Sequence, residues 1–280
     1  MDHDFYLVDV FGVANFSGNP LAVVLGATDL DGEAMQKIAR WLNFSETSFL
    51  LPPTTDQADY RVRIFTLERE MPFAGHPTLG SCRAWLAGGG AQTQDDFVTQ
   101  ECGAGLVRIR SQPGLAFAAP PLLRKGNVEA TMVAEIADIL NISVAQVVDA
   151  QWVDNGPGWV AVLLSSAAEV LQIEAKRQHT VRADIGVVGP HPAGGNAAFE
   201  LRAFFTDHRG ALIEDPVTGS LNASVAQWLI LTGRAKPPYE TAQGTRLGRT
   251  GRIQVTTDSR GDVWIGGNAR ILFQGKTRFG

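Results

Sequence analysis

One pattern occurs twice in this chain, and it limits what the chain can fold into. Met71 to Trp85 reads MPFAGHPTLGSCRAW, and Ile213 to Ser224 reads IEDPVTGSLNAS. With an offset of 139 (215 − 76), His76 falls on Asp215, Pro77 on Pro216, Gly80 on Gly219, Ser81 on Ser220 and Ala84 on Ala223. Arg63 then falls on Arg202 and Phe65 on Phe204, so an Arg-x-Phe strand, a loop of fixed length and a helix start recur without a gap. Matches that bunch at a Pro and a Gly of one helix start point to a duplicated unit. A chain of 280 residues exceeds what one core usually serves, and two domains of about 140 residues agree with the offset.

Each copy predicts a helix. Pro is at home in a first helical turn, and Asp215 before Pro216 is a favoured N-cap. The second helix is expected from Pro216 to Thr232 without one charged residue, stopping at Gly233; the first carries only Arg83 and stops at Gly88 to Gly90. A helix that is apolar nearly all round must be enclosed. Two such helices, each wrapped by its own strands, present free N–H groups that suit an anion. From the repeat alone, two core helices with no shared task remain an equal reading.

Around these helices the letters predict strands at Phe5–Phe11, Leu21–Leu25, Phe44–Leu50 and Tyr60–Thr66, with a surface helix from Asp31 to Leu42. Pro113 to Gly126 marks the boundary, giving domains 1–120 and 121–280, with the final strand near 271–279 able to return to the first. A helix at Val128–Leu140, strands at Val147–Val153, Trp159–Leu164, Ile185–Val188 and Phe199–Phe205, and three strands after Arg252 follow. The fold class expected is α+β, two similar domains each built as a curled mixed sheet around a central apolar helix.

Composition excludes several functions. The 24 Lys and Arg against 29 Asp and Glu leave a net charge of −5, with no basic run to follow a phosphate backbone, so nucleic acid is not an expected partner. No apolar run reaches bilayer length, and MDHDFYLVDVF has acidic residues where a secretory signal carries positive ones, so the expectation is the cytoplasm and no membrane. Cys82 and Cys102 make neither a disulfide framework nor a metal spacing, and His3, His76, His179, His191 and His208 are scattered without ligand spacing. No GxGxxG lies between strand and helix, and no GxSxG elbow is present.

Three side chains are candidates for chemistry. Glu46, between Phe44 and Phe49, would be partly desolvated at a strand edge and its pKa raised into the range of a general base. On the residues alone, a solvent-facing Glu is the simpler reading. His76 stands where the other copy has Asp, and His is not a favoured N-cap. Asp215 is sufficiently explained as a cap, and Asn19, in Gly18-Asn19-Pro20, as a turn residue.

Taken together, Gly18-Asn19-Pro20, NFSETSF around Glu46, RIFT before PFAGHPTLG, NGPGW from Asn155 to Trp159, and EDPVTGS from Glu214 to Ser220 resemble the phenazine-biosynthesis PhzF-like proteins, in the right order and over almost the whole chain. The resemblance implies the fold shared with diaminopimelate epimerase, with the active site in the cleft where the two helix starts face each other. It places the catalytic carboxylate on Glu46, next to Ser45, and other polar site residues on His76, Asp215 and Asn19. A substrate carboxylate would be held by N–H groups around Gly75, Gly219 and Ser220. In the similar phenazine enzyme the glutamate removes a proton from the hydroxyl-bearing carbon of a dihydro-hydroxyanthranilate and returns it elsewhere, moving a double bond. No cofactor and no metal are implied, and a homodimer is. The related epimerases carry two cysteines at the helix starts; this sequence has none there, so one-base isomerisation of a small carboxylate-bearing, hydroxy- or amino-substituted compound is expected. A non-catalytic acid-binding protein, or an epimerase or lyase using the same glutamate, are the alternatives.

Overall fold

Strands dominate the chain, and each of its two longest apolar helices is enclosed by the strands of its own half. The computed structural model describes residues 2–92, 96–179, 182–207 and 209–279. In chain order the elements are β1 (Asp2–Val10), β2 (Asn19–Leu25), α1 (Gly32–Leu42), β3 (Glu46–Leu51), β4 (Tyr60–Thr66), β5 (Glu70–Met71), α2 (Gly75–Ala87), β6 (Phe97–Cys102), β7 (Gly105–Arg110) and β8 (Ala116–Ala118). They continue as β9 (Arg124–Asn127), α3 (Ala130–Leu140), β10 (Asp149–Asp154), β11 (Val160–Leu163), α4 (Ala167–Gln172), β12 (Asp184–Pro190), β13 (Phe199–Thr206), β14 (Leu212–Asp215), α5 (Gly219–Leu231), β15 (Tyr239–Gln243), β16 (Gly251–Thr257), β17 (Val263–Gly266) and β18 (Ala269–Arg278). Two compact units result, Met1–Ala118 with Gly266–Gly280, and Ala119–Ile265.

The two units share one plan, and the fold is α+β. In the first, β18, β1, β2, β3, β4, β6, β7 and β8 are successive neighbours, antiparallel except for β2 with β3 and β4 with β6. In the second, β9, β10, β11, β12, β13, β15 and β16 follow the same order, with the parallel pairs again at β11 with β12 and β13 with β15. α2 touches β18, β1, β2, β3, β6 and β8, so the first sheet curls round it. Close approach of helix to sheet needs a missing side chain, and the units supply it from opposite sides. A Cβ on Gly80 of α2 would lie 2.5 Å from Leu21 Cδ2, and one on Gly186 of β12 would lie 2.3 Å from Leu221 Cδ1 of α5.

The surface helix α1 forms as its sequence predicts. Asp31 accepts the Ala34 N–H at 2.8 Å, Asn43 ends the helix in the left-handed region, and Met35 and Ala39 are buried. β15, which follows Pro237-Pro238, the short helix α4, and β9 inside the expected linker were not anticipated from the letters.

The ladder registers correct the repeat. Phe65 and Phe204 are equivalent at the offset of 139, but Phe65 pairs with Glu70 and Phe204 with Glu214, an offset of 144 (214 − 70). The second hairpin is therefore longer, residues 205–213 against 66–69. Beyond the hairpins the true match is EMPFAG, Glu70 to Gly75, on EDPVTG, Glu214 to Gly219. His76 corresponds to Ser220, and Asp215 to Met71. The expected helix starts shift accordingly. α2 begins at Gly75, with Pro77 already in its first turn, and α5 begins at Gly219 rather than Pro216. Asp215 is not an N-cap but the last residue of β14, because pairing with Ala203 keeps the chain extended there; the N-cap is Thr218.

Candidate active site

The first unit brings Asn19, Glu46 and His76 together. Asp9, buried near the end of β1, accepts the N–H groups of Ser17 at 3.0 Å and Gly18 at 2.8 Å and so shapes the β1–β2 hairpin. A Cβ on Gly18 would lie 2.1 Å from the Val10 carbonyl oxygen, so this position requires glycine. Asn19 is then the first residue of β2 rather than a turn residue; it pairs with Val10 and is fully buried. Its Nδ2 lies 3.4 Å from His76 Nδ1. Glu46 opens β3, with Ser45 half-buried just before it. Alternation along β3 sends Phe49 towards α1 and Glu46 towards α2. Glu46 Oε2 lies 3.5 Å from His76 Nε2, with 19% of the Glu46 side chain exposed.

His76 is buried in the first turn of α2, and desolvation lowers its pKa from 6.5 to about 3. It is neutral at pH 7. An amide Nδ2 can only donate, so His76 Nδ1 accepts from Asn19 and the ring proton sits on Nε2, facing Glu46. The pair is thus a carboxylate beside a neutral imidazole N–H, not an ion pair.

The second unit repeats the scaffold with other side chains. Asp154 accepts the N–H groups of Gly156 and Gly158, both at 2.7 Å, as Asp9 does in the first unit. Asn155 then donates to the Ser220 carbonyl at 2.8 Å, and Trp159 Nε1 to Ser220 Oγ at 3.1 Å. In both units, therefore, an asparagine of the first hairpin reaches the second residue of the central helix. Thr66 pairs with Glu46 and Phe205, its equivalent, with Asp184, so the counterpart of Glu46 is Asp184. Asp215 is buried and accepts the Thr218 hydroxyl.

Gly75 and Gly219 head helices that, like α3, have no side-chain cap, whereas α1 and α4 are capped by Asp31 and Ser166. First-turn N–H groups without a capping side chain can take an anion. Elsewhere, burial pushes the Cys82 thiol up to about 12 and raises Cys102, which makes both poor nucleophiles. His3 pairs with Asp29, His191 with Glu200, and His179 lies beside Thr206; His208 lies outside the described residues. Among the described residues no cluster of His, Cys, Asp and Glu has the makings of a metal site, and no helix is long and apolar enough to cross a membrane.

Against known proteins, the model of the phenazine biosynthesis-like protein family, PhzC-PhzF, matches residues 8–275. The chain belongs to this family. It is 34% identical to antisense-enhancing sequence 1 of Schizosaccharomyces pombe, over 99% of each chain. It is 30% identical to the trans-2,3-dihydro-3-hydroxyanthranilate isomerase of Pseudomonas aeruginosa, over 98% of this chain and 99% of that one. The crystal structure of the Bacillus anthracis phenazine biosynthesis protein of the PhzF family covers 100% of both chains with a TM-score of 0.82 at 23% identity, a likeness of fold. As a PhzC-PhzF member the chain is an isomerase.

Sequence reading missed the aspartates Asp9 and Asp154 that shape the hairpins, and Thr218, Asn222 and Gln243, and it gave Asn155 only as part of the NGPGW motif. A polar residue inside a charge-free helix, such as Asn222, was the available signal.

Proposed function

We propose that this isomerase shifts a proton, and with it a double bond, within a small carboxylate-bearing compound, using Glu46 first as base and then as acid and no cofactor. The contact of Glu46 with a neutral His76 is the observation that carries this reading. A protonated imidazole beside Glu46 would hold the carboxylate in an ion pair and lower its basicity; a neutral ring at 3.5 Å does not. The other oxygen takes a proton from a C–H of the substrate, leaving an anion delocalised over the adjacent double bond. Glu46, now a carboxylic acid, returns the proton to a different carbon. Atoms and charge balance without a redox partner.

The uncapped start of α2 at Gly75 holds the substrate carboxylate by backbone N–H groups, where the helix dipole adds to the hydrogen bonds. Asn19 fixes the imidazole tautomer. Ser45, Asp215, Gly219 and Ser220 are assigned to the same reaction by family resemblance. The similarity to an isomerase named for trans-2,3-dihydro-3-hydroxyanthranilate supports a cyclic, amino- and hydroxy-substituted acid as substrate class.

The test is proton exchange. Purified protein in deuterated water, given trans-2,3-dihydro-3-hydroxyanthranilate and related acids, is expected to yield a rearranged product or substrate carrying solvent deuterium at carbon. Binding of these acids with no label in any of them would show a binding protein instead.

A further inference from the structure

We propose that Gln243 is a positioning residue that sets the conformation of Asp215 and of the α5 start. The inference extends the reading above to the extent that Asp215 takes part in the reaction. Gln243 ends β15 and is fully buried. Every hydrogen-bonding position of its amide is used around one loop. Oε1 accepts the Thr218 N–H at 3.0 Å and Asn222 Nδ2 at 2.8 Å; Nε2 donates to the Asp215 carbonyl at 3.2 Å and to Thr218 Oγ1 at 2.9 Å. Because Thr218 Oγ1 accepts from Gln243, its single proton is directed to Asp215 Oδ2. The chain of bonds thus runs one way, from amide to hydroxyl to carboxylate. A carboxylate oxygen fixed by that donor leaves Asp215 with one orientation.

The surroundings hold Gln243 in place. Asn222, one turn into α5, donates to the Thr218 carbonyl at 2.9 Å and accepts the Thr241 hydroxyl at 2.6 Å. Gly244, next after Gln243, has φ of +89°, and a Cβ there would lie 2.6 Å from the Pro216 carbonyl, so only glycine lets the strand end this close to the Asp215–Pro216 turn. In the first unit Tyr60 pairs with Gln100 as its equivalent Phe199 pairs with Thr241, so the Gln100–Thr78 bond matches Thr241–Asn222, and the place of Gln243 is taken by Cys102. The amide that bonds the Asp215–Thr218 loop therefore belongs to the second unit, where Asp215 stands in place of Met71.

The experiment uses the full-length protein with two substitutions. Gln243→Glu keeps the acceptor and the volume but leaves at most one of the two donors. Thr218→Val removes the hydroxyl link, and Thr218→Ser restores it. With trans-2,3-dihydro-3-hydroxyanthranilate as probe, Gln243→Glu and Thr218→Val are expected to lose about 100-fold in kcat with KM changed by less than about threefold. Thr218→Ser should stay within about threefold of the native protein. Amide hydrogen exchange is read in parallel. Exchange in a peptide covering 214–222 should accelerate in the two damaging variants while a peptide from the α5 interior is unchanged.

Native kcat in Gln243→Glu would overturn the proposal. So would losses that Thr218→Ser does not rescue, or exchange that accelerates through all of α5, since these mark a general folding role. If the native protein turns over no acid at all, the isomerase reading fails, and the exchange comparison alone decides this one: unchanged protection at 214–222 in Gln243→Glu overturns it.

Discussion

The starts of α2 and α5 occupy the same place in two copies of one plan, yet they carry different chemistry. At the first, an uncapped Gly75 is followed by a buried neutral His76, with Asn19 on one ring nitrogen and Glu46 by the other. At the second, an uncapped Gly219 is followed by Ser220, held by Asn155 and Trp159, with Asp215 fixed from below by Thr218 and Gln243. The aspartate-shaped hairpin, the asparagine and the bare helix start are common to both. What differs is the side chains at the helix start, His76 beside Glu46 in the first unit and Ser220 in the second. The difference teaches that the scaffold is duplicated and the Glu46–His76 contact is not.

The same contrast appears in the arginines behind each helix start. Arg202 makes a two-pronged pair with Glu214, both nearly buried, and also donates to the carbonyls of Val170 and Ile173. Its equivalent Arg63 makes the same pair with Glu70, but 27% and 42% of these side chains are exposed. Removing Arg202 leaves the nearly buried Glu214 carboxylate and the Ile173 carbonyl without this donor. Arg202→Met is therefore expected to lower unfolding free energy by about 3–5 kcal/mol, and Arg63→Met by less than about 1 kcal/mol. Urea denaturation of the two variants checks this, and equal losses would break the comparison.

The helix-to-sheet approach sharpens it further. Gly80→Ala and Gly186→Ala each push a methyl into a buried leucine, Leu21 or Leu221, and each should cost about 1–3 kcal/mol by thermal or urea unfolding. A neutral effect at either site would show that the helix in that unit is not held as close as described.

The units also separate by pH. His76 has a pKa of about 3 in the folded chain against 6.5 unfolded, so below pH 6.5 the unfolded chain binds the extra proton first. Stability contributed by the neutral ring is complete above pH 6.5 and declines as pH falls towards 3, by up to about 1.4 kcal/mol per pH unit. His76→Gln should lose that part of the slope between pH 6 and 4. Ser220→Ala, at the equivalent place, should leave the slope as it is.

Much of this was legible in the letters, and the limits have physical causes. The two apolar helices, the bounds of α1 and the Arg-x-Phe strands follow from periodicity and local chemistry, and the sequence motifs point to Asn19, Glu46 and His76. The register of the repeat was misread because hairpin length leaves little trace in composition. With the longer hairpin at 205–213 unrecognised, Asp215 was placed on His76 and given a cap's role. Gln243 was invisible because its four bonds reach back 21 to 28 residues, to Asp215, Thr218 and Asn222, and only the fold brings them together.

The central claim is that Glu46 moves the hydrogen, and Glu46→Gln tests it most directly because it keeps shape and removes the base. With trans-2,3-dihydro-3-hydroxyanthranilate in deuterated water, the variant is expected to bind with affinity within a few-fold of native while isomerisation and deuterium uptake at carbon both fall by about 10³-fold or more. Native-like turnover or label uptake in Glu46→Gln would contradict the account.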